Sequence, residues 1–186
     1  MKFLRVTPHL RSVGFGFSVA LFASVALFKV AAEARDQARP SAASPVYGVT
    51  LPAGYRDWKL ITVAHEAGKN NDIRAVLGND IAIKAFRSGK RPFPDGTVIV
   101  RLAWRYKSSA RNDAVFPAPQ SFVAGEPTNV QVSVKDSKRY ADSGGWGYGQ
   151  FEQGLPNHDE ALVRTCFACH AKLDKADDFV FAPYSR

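Results

Sequence analysis

Methionine is absent after Met1, so no thioether is available as a metal ligand in the rest of this 186-residue chain. Cysteine occurs only twice, at Cys166 and Cys169. The N-terminal apolar run, Val13 to Phe28, is shorter than the ~20 residues that a membrane-spanning helix needs. No block of like charge is present. Lys84, Arg87, Lys90, Arg91, Arg101 and Arg105 are scattered among other residues, which gives nucleic-acid binding little support. There are no internal repeats.

The N-terminus has the layout of an export signal. Lys2, Arg5 and Arg11 precede the apolar run, and Ala32-Glu33-Ala34 offers a small-x-small cleavage site. Residues 1–34 are therefore expected to be a signal peptide cleaved after Ala34, which would place the mature protein in the periplasm. Lys29, between the run and that site, leaves an uncleaved anchor as the alternative. Cleavage would leave 152 residues, enough for one domain with one core, and would lower the formal charge from +8 to +5. Residues 35–45, rich in Ala, Ser, Arg and Pro, read as a flexible lead-in, and the domain is expected over 46–186.

Both cysteines fall in Cys166-Phe-Ala-Cys-His170, the Cys-x-x-Cys-His pattern of a covalently attached haem c. On a helical turn, thiols three apart share a face and can add to the two haem vinyl groups. His170 then serves as the iron ligand. A disulfide or a Cys-x-x-Cys redox site is the competing reading. The first leaves the following histidine unexplained, and the second usually sits near the start of a βαβ unit. One haem c is the expected cofactor. With no methionine available, the other side of the iron is expected to be open.

The pattern before the motif is strand-rich. Trp58 to His65 and Ile73 to Leu77 read as strands around a polar turn, and Asp80 is placed to cap a short helix through Arg87. Thr97 to Tyr106 alternates most clearly, with Val98, Val100, Leu102 and Trp104 on one side. Ser108 to Pro127, with three prolines, reads as a long loop. Val130 to Val134 and Trp146 to Phe151 are further strands. Asn157 and Glu160 suggest a capping box that starts a motif-bearing helix from His158 to about Leu173, and Phe179 to Phe181 reads as extended. The expected class is α+β, a predominantly antiparallel sheet with a short helix and a C-terminal helix carrying the haem motif.

Several segments in order carry a resemblance: Leu51-Pro-Ala-Gly-Tyr-Arg-Asp-Trp58, Ile73 to Asp80, Phe93-Pro-Asp-Gly-Thr97, Val132 to Tyr140, Thr165 to His170, and Asp178-Phe-Val-Phe181. Together they resemble the cytochrome P-460 family and its relatives, the β-sheet cytochromes c′. The resemblance implies an antiparallel β fold, commonly a homodimer, with one five-coordinate haem c. Its P-460 members oxidise hydroxylamine, can act on nitric oxide, and bear a lysine bonded to the porphyrin. Matching Asp95-Gly96 to the family's turn puts that lysine position at Arg101. A guanidinium stays protonated and is a poor nucleophile. The family's proton-accepting carboxylate matches Gln131, whose amide is not a general base.

Both departures favour the β-sheet cytochrome c′ branch and a small ligand such as nitric oxide. Arg101 and Gln131 are the candidate haem-facing or distal residues, and Arg74 a third group near the haem. As a plain surface residue, Arg101 would sit on the polar side of an amphipathic strand. Cys166, Cys169 and His170 are the cofactor-binding residues, with His170 the metal ligand. His65 reads as exposed or hydrogen-bonded, and His158 as too far along the motif helix to reach the opposite haem face. Hydroxylamine (or nitric oxide) oxidation is the enzymatic alternative, and simple electron transfer the weakest. A redox partner cytochrome and a second copy of the chain are the candidate protein partners.

Overall fold

The computed structural model describes residues 42–185. The expected signal peptide and residues 35–41 of the lead-in lie outside the described residues. Six strands form one antiparallel sheet in sequence order: β1 (Lys59–Glu66), β2 (Asp72–Gly78), β3 (Val98–Ser108), β4 (Phe122–Lys135), β5 (Trp146–Glu152) and β6 (Leu155–Pro156). Among the described residues, three α-helices accompany this meander, two within it and one after β6: α1 (Asp80–Ser88), α2 (Ala110–Asp113) and α3 (Glu160–His170). The fold is α+β, as the patterning predicted. No helix among the described residues is long and apolar enough to cross a membrane.

Each turn has a local cause. Gly68 accepts from the Asn71 amide in the β1–β2 connection. The α1 cap is Asn79, one residue before the expected Asp80. Its Oδ1 accepts from the Ala82 and Val98 amides, and its Nδ2 donates to the Gly96 carbonyl. Asp80, freed from capping, takes the Lys59 ammonium at 2.8 Å. α3, by contrast, starts later than expected. Asp159 caps it through the Leu162 amide, while Asn157 accepts from the Asp159 amide. Glu160 does not close a capping box; it pairs with Arg164 one turn on.

The expected loop from Ser108 to Pro127 is corrected most. Only its first part, through α2 to Ser121, leaves the sheet. From Phe122 the chain is already β4, paired with β3 back to Ser108. Pro127 lies where the β3–β4 register shifts around Trp104, an irregularity that tolerates a residue without an amide proton. Phe179 to Phe181 pairs with no strand; Asp178 and Phe179 both adopt positive φ, at 50° and 61°.

The sheet is covered on both faces. On one, α1 lays Ala82, Ile83, Ala85 and Phe86 against Ile61, Val76 and Ile99, joined by Phe93, Trp146 and Tyr148. Cys166 and Phe167 of α3 pack against this cluster, so the motif helix occupies the same face. On the other, Val100, Val132 and Phe151 are sealed by Val49, Leu51, Tyr55 and Trp58 from the segment before β1. Ser44, within the stretch read as lead-in, is 1% exposed, and its amide donates to the Val49 carbonyl at 2.7 Å. Fully burying side chains such as Phe151, Val100 and Val132 stabilises the fold by roughly 1.5–3 kcal/mol each.

Candidate functional site

α3 brings the motif to the sheet by a narrow contact, with Val163 its single buried residue among those described. The helix places Cys166 and Cys169 one turn apart as free thiols, the first half-buried and the second exposed. Burial pushes the Cys166 thiol pKa up, and the Arg101 guanidinium is near enough to pull against that rise. Leu162 and Phe181, on either side of the motif, leave apolar surface exposed at 38% and 56%. Two reduced thiols beside open apolar surface suit a flat apolar ring with two alkylation points.

His170 is held in one tautomer. Its Nδ1 lies 2.6 Å from the Phe179 carbonyl oxygen. A carbonyl only accepts, so Nδ1 carries the proton and Nε2 keeps its lone pair. Burial lowers the imidazole pKa, against the hydrogen bond to Phe179, and so favours this neutral form. The ring contacts both Tyr148 and Phe181, whose ring centroids are each 4.9 Å away. A donated Nδ1–H is the usual support of a metal-binding histidine. These residues therefore fit a c-type haem: Cys166 and Cys169 for the vinyl groups, His170 Nε2 for iron.

The sheet under this face carries a row of polar side chains. Arg101 and Gln131 stand directly opposite each other across β3 and β4, with Gln150 next on β5. Gln131 Nε2 donates to Gln150 Oε1 at 2.9 Å, and Gln150 donates on to Glu152 at 3.2 Å. Arg101 donates to Asn129 and lies 3.9 Å from Asp72, while its Nε is buried with no partner. Burial first, then repulsion from Arg74, lowers the Arg101 pKa to about 10, so it remains a cation at neutral pH. Arg74 shares this face but is occupied, gripping Asp72 at 2.6 Å and Glu66 at 2.8 Å. Tyr148 adds a buried hydroxyl without a partner, and burial raises its pKa.

The structure thus gathers Arg74, Arg101, Gln131 and the motif on one face of the sheet. His65 stays apart, stacked on Tyr106 at 3.8 Å and bonded to Asn71, and His158 is exposed. Sequence reasoning missed Asp72, Asn129, Gln150 and Tyr148. Alternation carried a signal for two of them, since Asp72 lies two residues from Arg74 on β2 and Asn129 two from Gln131 on β4; nothing in β5 marked Gln150 or Tyr148. It also missed the buried pair Lys135–Asp178, at 2.6 Å, beside the Phe179 carbonyl. Lys107, the lysine nearest Arg101 along β3, is exposed near the strand end.

The comparisons agree with this arrangement. The family model for Cytochrome P460 matches residues 52–182, which span the sheet, the motif helix and the Asp178–Phe181 segment. A comparison with curated proteins gives no match. On that coverage, the chain belongs to the cytochrome P460 family of haem proteins.

Proposed function

We propose that this protein is an exported cytochrome with one haem c, attached through Cys166 and Cys169 and ligated by His170, and that it binds a small ligand such as nitric oxide at the open side of the iron. The observation that carries this reading is His170, whose Nδ1–H is committed to Phe179 and whose Nε2 is left for a metal beside two free thiols. No methionine follows Met1, and of the other described histidines His65 is stacked on Tyr106 and bonded to Asn71 while His158 is exposed before the motif helix, which supports an open second side of the iron. An iron with one protein ligand takes a diatomic gas directly, and pocket polarity selects among gases. Around that site, Arg101 supplies fixed positive charge, and the Gln131–Gln150–Glu152 chain fixes the direction of an amide that is not a base.

Family membership keeps hydroxylamine oxidation as the second reading. Against it stands Arg101 where the cross-linking lysine is expected and Gln131 where the proton acceptor is expected. Optical spectra of the purified protein, with and without nitric oxide, separate the two together with intact mass. The expected result is haem mass on residues 35–186, an ordinary ferrous Soret band, and a clear spectral shift with nitric oxide. A six-coordinate, low-spin protein inert to nitric oxide would sink the proposal. Steady hydroxylamine turnover above that of free haem, with an artificial electron acceptor, would establish the enzymatic reading instead.

A further inference from the structure

We infer that the buried Lys135–Asp178 ion pair is a positioning device for His170, acting through the Phe179 carbonyl; this rests on the reading of His170 as the iron ligand. Asp178 is held at its amide, which donates to the Lys175 carbonyl at 3.0 Å, and at three further points. Its Oδ1 takes the Lys135 ammonium at 2.6 Å, its Oδ2 accepts from the Phe93 amide at 2.8 Å, and its carbonyl accepts from the Trp146 indole at 2.9 Å. Lys135 is itself fixed, donating to the Gly144 carbonyl at 3.1 Å and lying over the Trp146 ring at 5.0 Å. Both side chains are only 6% exposed. The next residue along the chain is Phe179, the hydrogen-bond acceptor for His170.

Two features point to positioning as well as stability. Asp178 and Phe179 are consecutive non-glycine residues at positive φ, a backbone that the surroundings must hold in place. A buried ion pair is also a weak stabiliser compared with well-packed apolar groups of similar volume, and its particular strength is fixing direction. Here it fixes Asp178, one residue before the carbonyl that sets the tautomer and rotation of the iron-binding ring. Slack at Asp178 would pass to the Phe179 carbonyl, weaken the Nδ1–H bond and lower the basicity of Nε2.

The test uses Asp178→Asn, which keeps an oxygen for Phe93, Lys135→Met, and the double variant Lys135→Met/Asp178→Asn, which leaves no unpaired buried charge. Asn79→Ala serves as a control, because it loosens the start of α1 without touching Phe179. Resonance Raman of the ferrous holoprotein reads the iron–histidine stretch, and NMR reads solvent exchange of the His170 ring N–H. All three clamp variants are expected to shift or broaden the stretch and to speed ring N–H exchange at least about tenfold, while Asn79→Ala moves neither. Where the single variants do not accumulate, the double variant carries the test. An unshifted stretch and unchanged exchange in folded, haem-loaded double variant would overturn the inference. A wild-type protein whose stretch is absent, or survives His170→Ala, would overturn the ligand assignment itself, which separates the two failures.

Discussion

Arg74 and Arg101 reach the same carboxylate, yet they hold it unequally. Arg74 grips Asp72 with Nε at 2.6 Å and Nη2 at 3.3 Å, whereas Arg101 stands 3.9 Å off and spends its other contact on Asn129. Asp72 is nearly buried, so removing its main partner strands a charge. Arg74→Met is expected to cost about 3–5 kcal/mol. Arg101→Met loses one hydrogen bond and a distant pairing, and is expected to cost about 1–2 kcal/mol. Urea unfolding of both variants checks the order; equal losses would mean that the two arginines share Asp72 evenly. In the sequence, Arg101 was visible only through the resemblance. Alternation alone set it on the polar side of β3, and the polar character is real, but that side lies under α3 and not in open solvent. Asp72 and Asn129, its neighbours in space, sit on other strands, marked only by their two-residue spacing from Arg74 and Gln131.

At the scale of elements, the readable features were those with a short-range cause. β1, β2, β3 and β5 follow their alternation and bounding turns to within a residue or two. The first half of β4 did not, because Pro127 argues against a strand unless the register shift opposite Trp104 is already known. The caps also moved by one or two residues, since Asn79 and Asp80 are equally good caps locally and only the turn to Gly96 and Val98 chooses between them. β5 carries the sharpest packing constraint. A Cβ on Gly147 would fall 2.3 Å from the Tyr140 ring, which has no room to retreat at 5% exposure. Gly147→Ala is therefore expected to cost at least about 2 kcal/mol, read as a lowered urea midpoint. By contrast, Asp159→Ala removes only the cap of α3 and is expected to cost about 1 kcal/mol by the same measurement.

Across the whole molecule, stability and function are unevenly divided. The sheet is sealed on both faces, by α1 on one and by the Val49–Trp58 segment on the other. The motif helix has eleven residues and one buried side chain, Val163. A helix that short is marginal by itself, and a single buried valine adds little packing. Its other anchors include the His170–Phe179 hydrogen bond, the half-buried Cys166 and Phe167 against the α1-side core, and ring contacts of Phe167 and His170 with Tyr148, and most of them lie in or next to the motif. On the proposed haem attachment, bound haem is expected to complete the core around α3, and the sheet is expected to stand without it. Haem-free protein, made with Cys166→Ala and Cys169→Ala, is expected to keep slow amide hydrogen exchange in β3 and β4, near the limit set by global unfolding. In the same protein, amides of Val163 to His170 are expected to exchange at least about a hundredfold faster than in the haem-loaded form. Equal protection of α3 in the two forms would show that the sheet alone secures the helix. Unequal protection would place the coupling between cofactor attachment and folding in this one element.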